Sequence, residues 1–227
     1  MARAWQALAR LVAAIVHWRF FKPLVFVASA VPLVLVGTRL WLVFTGRDPM
    51  ALGTDPTKEL LHTTGEDALT LLLLSLSVTP IRRVFGVNRI QTVRRMLGVW
   101  AFVYAALHLS TYLVFDQLCY SASTCQFEAI WQDILKRRFI FAGQLGFVIL
   151  LLLALTSTNG WMRRLKKNWS RLHRLVYVAG MAGIVHFIWI QKSDLSRPLN
   201  WAAWLAVVLG IRVYFAVKRR VAKRGRE

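Results

Sequence analysis

The chain has 227 residues, of which 57% are hydrophobic, and a mean hydropathy of +0.49. A soluble domain of this size could not hide so many apolar side chains, which include ten Trp and thirteen Phe, from water. The formal net charge of +20 comes from short basic clusters between apolar runs of about 17–25 residues, so it indicates membrane topology rather than nucleic-acid binding.

The first 23 residues are basic and apolar, but no small-residue cleavage site follows an apolar stretch in them. We therefore predict that they are retained as an amphipathic lead into the first span. Six apolar runs between charges predict an all-α, polytopic membrane bundle of six transmembrane helices, which forms a single domain over residues 1–227. The predicted spans are 23–44, 66–81, 96–115, 139–158, 172–190 and 199–217.

The distribution of Lys and Arg predicts the orientation of this bundle. An even number of spans puts both termini on one side, and that side carries 22 of the 30 basic residues. They lie before the first span, in 82–95, in 163–174 and from residue 212 onward. The positive-inside rule therefore predicts that both termini are cytoplasmic.

The loop after the third span contains the two cysteines, Cys119 and Cys125. Their spacing fits neither a CxxC redox pair nor a closed zinc site. A local disulfide and two free thiols both remain open. The chain also has no Walker motif and no glycine-rich loop after a strand, so the nucleotide chemistry of any reductase would belong to a separate molecule.

The histidines provide the strongest functional signal, because an ionisable side chain inside a membrane is costly and usually functional. His108 lies thirteen residues after Arg95, and His186 lies twelve after Arg174. At about 1.5 Å rise per residue, both rings lie roughly 18–20 Å from the cytoplasmic edge of two outward-running helices. Two neutral imidazoles at one depth predict the axial ligands of a b-type haem within a helical bundle. The alternative is that each is a buried histidine bonded to a neighbouring hydroxyl or carbonyl.

Two further histidines have less defined roles. His173 lies thirteen residues before His186, which is about 220° round an ideal helix, so the two rings do not share a face without a bend or a bulge. It could bind a second haem with a partner such as His17, or contact a haem propionate, flavin or quinone. His62, at the outer edge of the second span, is expected to cap a helix or to bind a propionate.

Small residues near the proposed ligands, Gly98, Gly143, Gly146, Gly180 and Gly183, are consistent with close approach of a macrocycle and equally with tight helix packing. Three functions follow from these patterns. The first is transmembrane electron transfer through haem. The second is a membrane metalloreductase or oxidase cytochrome, and the third is a transporter or a scaffold without a cofactor.

From about Leu52 through Arg212, the chain resembles the MsrQ family, also called YedZ, within the ferric-reductase-like transmembrane group. Three stretches carry the resemblance: LGTDPTKELLHTTGEDALTLLLLSLSVTPIRR, VRRMLGVWAFVYAALHLSTYL and WSRLHRLVYVAGMAGIVHFIWI. The resemblance implies a multi-pass protein of the bacterial inner membrane that serves as an electron-transfer subunit, rather than the catalytic subunit, of a methionine sulfoxide reductase system. The family's haem histidines fall on His108, His173 and His186.

The resemblance also implies the cofactors and partners. The cofactors are one or two haems b, together with FMN. Electrons would come from the quinone pool or from a cytoplasmic flavin reductase, and they would leave to a periplasmic molybdopterin enzyme of the MsrP type. The basic segment from Arg163 to Arg174 is the expected docking place for an anionic phosphate or a reductase.

Overall fold

The structure is a computed structural model that describes residues 2–117, 125, 127–191 and 194–225. Cys119 lies outside the described residues, so its predicted alternatives, a disulfide with Cys125 or a free thiol, lie outside them too. The described residues form helices and no strands, which confirms the all-α prediction. The α-helices are α1 Ala2–His17, α2 Phe21–Phe44, α3 Pro56–Phe85, α4 Gln91–Thr111, α5 Phe127–Lys136, α6 Arg138–Leu155, α7 Asn159–Leu165, α8 Lys167–Leu172, α9 Val176–Ile190 and α10 Ser196–Arg224.

Among the described residues, six helical segments are long and apolar enough to cross a membrane, as predicted. They are Phe21–Phe44, Pro56–Phe85, Asn88–Asp116, Arg138–Leu155, Lys167–Ile190 and Ser196–Arg224. The protein is therefore a multi-pass membrane protein. Below, the end of the bundle that carries both chain termini is called the terminal side, and the other end is called the opposite side.

The second span differs from the prediction, because its helix begins ten residues earlier than residue 66. Pro56 occupies the first turn of α3, and the side chain of Asp55 accepts a hydrogen bond from the backbone N–H of Lys58. Gly86, with a φ of 73°, ends the helix in the left-handed conformation. Hydropathy detects only the apolar part of such a helix and misses its polar first turns. Because the helix begins at Pro56, His62 lies in its second turn rather than at its boundary.

Two amphipathic helices lie outside the spans. α1 confirms the predicted amphipathic lead, and Trp18–Phe20 separate it from α2. The sequence analysis missed α5, which occupies part of the connection between the third and fourth spans. Its exposed apolar residues Phe127, Trp131 and Leu135 recur at helical spacing, and this periodicity was the signal that could have predicted it.

The helix α3 forms the centre of the bundle and packs against α2, α4, α9 and α10. In its most apolar window 56% of the residues are buried, against 11% in α2 and in α10, whose apolar side chains face outward. Hydroxyl groups within α3 bond to backbone carbonyls one turn earlier, as Thr64 does to Leu60 and Ser77 does to Leu73. This pattern satisfies polar groups where no water is available.

A proline within α3 leaves a backbone carbonyl that another helix satisfies. Pro80 has no N–H to offer to the carbonyl of Leu76, which lies four residues earlier. The guanidinium of Arg212 on α10 donates one hydrogen bond to that carbonyl and another to the hydroxyl of Tyr177 on α9. One basic side chain therefore joins α3, α9 and α10 near the terminal side.

Candidate functional site

The imidazole rings of His108 and His186 lie next to each other, with centroids 6.0 Å apart and ring planes at 89°. His108 comes from the last turn of α4, and His186 comes from the last two turns of α9. Both residues are half-buried, close to the opposite side of the bundle. The equal depth that the sequence predicts for these two histidines thus corresponds to direct proximity.

Backbone carbonyls set the protonation of both rings. Nδ1 of His108 lies 2.9 Å from the carbonyl oxygen of Leu61 on α3, and Nδ1 of His186 lies 2.6 Å from that of Phe139 on α6. A carbonyl can only accept, so each Nδ1 must carry a proton and donate it. In each neutral ring Nε2 then has a free lone pair, which is the arrangement that metal-binding histidines adopt.

The spacing of the two rings fits one metal ion between them. An imidazole nitrogen binds a metal at about 2 Å, so rings with centroids 6.0 Å apart lie close enough for one ion to contact both. No group of three or more His, Cys, Asp or Glu residues that could bind a metal occurs in the part of the chain that the structure describes. Two neutral imidazoles without a third protein ligand suit the axial positions of a haem iron, whose other ligands are porphyrin nitrogens.

Glycines border both rings. A Cβ atom at Gly65 on α3 would lie 3.1 Å from Cε1 and Nδ1 of His108, and one at Gly143 on α6 would lie 2.8 Å from Nδ1 of His186. The sequence analysis named Gly143 among the small residues near the ligands but missed Gly65. The sequence carries no mark that singles out Gly65, because its position matters only relative to the backbone carbonyl of Leu61 one turn earlier.

His173 lies just before the start of α9, towards the terminal side, and does not join the pair. Its Nδ1 is 3.1 Å from the carbonyl oxygen of Trp169, its Nε2 is 3.4 Å from the hydroxyl of Ser157, and its ring stacks on Trp169 at 3.9 Å. A 3₁₀ turn spans His173–Leu175. With three residues at about 120° each, the angle between His173 and His186 changes from about 220° to about 280°. This is still about 80° short of a full turn, so the two rings point to different faces.

The remaining two histidines occupy different places in the bundle. His62 is half-buried in the second turn of α3, next to Leu61, whose carbonyl accepts the hydrogen bond from His108. This position is close enough for a supporting role at the ring pair. His17 is exposed at the end of α1, and its Nδ1 is 2.8 Å from the carbonyl oxygen of Ala13. A haem shared by His17 and His173 stays a prediction.

The terminal side presents a basic groove. Its volume is about 500 Å³, and it is lined by Thr158, Gly160, Trp161, Arg163 and Arg164. The guanidinium of Arg164 lies 5.7 Å from the centre of the Trp161 ring. None of the acidic residues that the structure describes lies on the terminal side, and three ion pairs, Arg39–Glu59, Arg137–Asp133 and Arg197–Glu66, lie towards the opposite side.

Comparison with known proteins identifies the family. Residues 64–184 match the model of the ferric reductase like transmembrane component. The chain is 43% identical to the protein-methionine-sulfoxide reductase heme-binding subunit MsrQ of Xanthomonas euvesicatoria over 205 residues, which are 89% of this chain and 91% of the relative. It is 42% identical to the MsrQ subunit of Rhodospirillum rubrum over 86% of this chain and 88% of the relative. No solved structure matches. With this extent and level of identity, the chain belongs to the MsrQ family of heme-binding subunits within the ferric-reductase-like transmembrane proteins.

Proposed function

We propose that this protein is an electron-transfer subunit that carries electrons across the bacterial inner membrane through b-type haem bound by His108 and His186. The observation that supports this proposal best is the ring pair itself. The two imidazoles lie 6.0 Å apart, and each is held as a neutral ring by a hydrogen bond from Nδ1 to a backbone carbonyl. The catalytic reaction would belong to a partner, so the protein acts as a subunit of an oxidoreductase system rather than as the enzyme.

The residues of the chain have three tasks in this proposal. His108 and His186 hold the iron from two helices, while the carbonyls of Leu61 and Phe139 keep Nδ1 protonated and Nε2 free. The apolar bundle excludes water from the rings, which lowers the local dielectric constant and limits side reactions. When bound, haem supplies one-electron chemistry through the ferric and ferrous states of its iron.

The charge distribution supports an orientation with the terminal side in the cytoplasm. That side carries 22 of the 30 Lys and Arg residues, as the positive-inside rule requires of cytoplasmic loops. The ring pair then lies near the periplasmic face. This position suits a periplasmic acceptor, which we infer to be a molybdopterin methionine sulfoxide reductase of the MsrP type.

The same orientation places the basic groove with Arg163 and Arg164 on the cytoplasmic face. Its positive charge is suited to bind either an anionic surface of a flavin reductase that donates electrons or the phosphate group of FMN. The quinone pool is the second possible donor, since quinones reach the bundle through the lipid. We propose His173 for a supporting role at this cytoplasmic end, through a second haem, a propionate, a flavin or a quinone.

A second candidate function is a membrane metalloreductase, because residues 64–184 match the ferric-reductase-like model. Such an enzyme would reduce ferric ion directly at the face nearest the haem. The two functions differ in their acceptor. Reduced protein that is reoxidised by a periplasmic methionine sulfoxide reductase, and not by ferric citrate, supports the electron-transfer subunit, whereas rapid reoxidation by ferric citrate alone supports the metalloreductase.

The first experiment is a visible spectrum of the purified protein, dithionite-reduced minus oxidised, together with a pyridine haemochrome assay for haem per chain. We expect sharp low-spin b-type bands. About one haem per chain supports the single site at His108 and His186, and two haems assign a ligand role to His173. A protein that contains no haem after expression with sufficient haem supply contradicts the proposal and favours a transporter or a scaffold.

A further inference from the structure

Both candidate ligands contact their neighbouring helix in the same way. His108 donates to the backbone carbonyl of Leu61, and His186 donates to that of Phe139. In both pairs, donor and acceptor are 47 residues apart along the chain. In each neighbouring helix a glycine follows the acceptor by one turn, Gly65 after Leu61 and Gly143 after Phe139. One local arrangement of carbonyl, glycine and imidazole therefore occurs twice.

The helix geometry explains why the glycine is needed. In an α-helix the carbonyl of residue i points towards the N–H of residue i+4, so a ring that donates to that carbonyl approaches the Cα of residue i+4. A side chain at that position would occupy the space of the ring. Glycine removes the Cβ and lets the imidazole reach the carbonyl.

The distances separate these two glycines from the others in the bundle. A Cβ at Gly143 would lie 2.8 Å from Nδ1 and 2.9 Å from Cε1 of His186, which is too close for any real contact, so the ring would have to move. At Gly65 the corresponding distances to His108 are both 3.1 Å, which demands a smaller shift. At the other glycines within spans that have neighbours in contact range, Gly98, Gly146, Gly180 and Gly183, an added Cβ would meet its nearest atom at 3.5–3.7 Å, an ordinary contact.

We infer that Gly65 and Gly143 are positioning residues for the two ligands: with the carbonyls of Leu61 and Phe139 they form two ring sockets that fix the tautomer and the orientation of His108 and His186. The inference rests on the proposed function, because it assumes that these two histidines bind the haem iron. It adds the residues that prepare both rings for coordination before the haem arrives. Supporting groups of this kind affect metal binding by about 10- to 100-fold.

The distances at the two glycines predict that alanine disturbs the ring of His186 more than the ring of His108. An alanine at Gly143 pushes directly against the ring atom that donates the 2.6 Å hydrogen bond, so the bond to Phe139 and the position of Nε2 change together. An alanine at Gly65 allows the ring of His108 to stay near its carbonyl after a shift of a few tenths of an ångström. Alanine also favours a helix over glycine, so loss of haem in either variant cannot result from weakened helix propensity.

The test compares Gly143→Ala and Gly65→Ala with two matched controls, Gly146→Ala on α6 and Gly98→Ala on α4, in the full-length protein. The structure places these control glycines against neighbouring helices, since an added Cβ would meet Ala179 and Ser75 rather than an imidazole. Haem per chain is measured by pyridine haemochrome, and the ring geometry is measured by low-temperature EPR of the oxidised protein. We expect Gly143→Ala to weaken haem binding at least about tenfold, so that haem per chain falls below that of the wild type. We expect Gly65→Ala to retain haem with shifted low-spin g values, and both controls to match the wild type.

The outcomes distinguish the sockets from the proposed function. If Gly143→Ala and Gly65→Ala both keep wild-type haem content and g values, the inference is wrong, while the haem ligands themselves are unaffected. If His108→Ala and His186→Ala retain the wild-type spectrum, the ligand assignment fails. If Gly143→Ala does not fold, as judged by size-exclusion chromatography in detergent, the g values of Gly65→Ala decide: a shift supports the sockets, and unchanged values overturn them.

Discussion

The hydroxyl of Tyr104 lies within the hydrogen-bond ladder of α2, where it accepts from the backbone N–H of Leu33 at 2.8 Å. It also donates to the carbonyl of Ser29 at 2.8 Å, the group that the N–H of Leu33 would meet in a regular helix. Pro32 interrupts the ladder at the adjacent position. Tyr104 is fully buried and stands one turn before His108 on α4, so the same helix supports α2 and carries a candidate ligand.

Replacing Tyr104 with phenylalanine should destabilise the protein. The substitution removes both hydrogen bonds to α2, and an unsatisfied buried backbone group costs about 1–3 kcal/mol. We expect a lower free energy of unfolding in detergent micelles, measured by SDS titration. The control is Tyr112→Phe, whose hydroxyl lies 3.4 Å from Asp133 in a weak contact. Equal stability of Tyr104→Phe and the wild type would show that α2 closes its own ladder without the phenol.

Replacing Arg212 with methionine should destabilise the bundle because the carbonyl of Leu76 loses its donor. Pro80 cannot supply an N–H to this carbonyl, so the effect depends on the proline. In a Pro80→Ala background the new N–H can bond to Leu76, and the cost of Arg212→Met should fall by about 1 kcal/mol.

A double-mutant cycle of thermal or SDS unfolding measures this coupling. The hydroxyl of Tyr177 loses its cationic partner in both backgrounds, so that contribution cancels. Additive effects of the two substitutions would mean that Arg212 acts through its charge or its packing rather than through the carbonyl of Leu76.

Alanine at His108 or at His186 should abolish bis-imidazole haem, because each ring supplies one of two axial ligands. His62→Ala should retain the iron, since His62 lies on α3 beside the socket of His108 rather than in the ring pair. Reduced minus oxidised spectra of the three purified variants, normalised to protein, provide the measurement. An unchanged reduced spectrum in His186→Ala would refute the ligand assignment.

His173→Ala should keep the haem at the ring pair, because His173 lies near the terminal side and both of its ring nitrogens have partners within the protein. We expect the low-spin g values of that haem to stay unchanged by EPR. Ser157→Ala serves as the matched control, since it keeps the ring of His173 but removes the 3.4 Å contact to Nε2, together with the hydrogen bond of the hydroxyl to the carbonyl of Leu153. Loss of the haem of the ring pair in His173→Ala would contradict the separation of the two ends.

Apolar runs and the spacing of histidines from basic residues predicted the six spans and the level of His108 and His186, because both depend on helix length and lipid thickness alone. The acceptors Leu61 and Phe139 could not be predicted, since a backbone carbonyl leaves no mark in the side-chain pattern. Gly65 was missed for a related reason: a glycine within a helix has a role only relative to the residue that packs on it. The helix α5 was missed because it is short and carries charges of both signs.

The equal separation of 47 residues in the two ring sockets makes the site twofold in construction. One antiparallel helix pair, α3 with α4, presents a carbonyl, a glycine and an imidazole, and a second pair, α6 with α9, presents the same three groups. Neither pair holds both rings, so any change in how the two pairs pack alters the distance between His108 and His186.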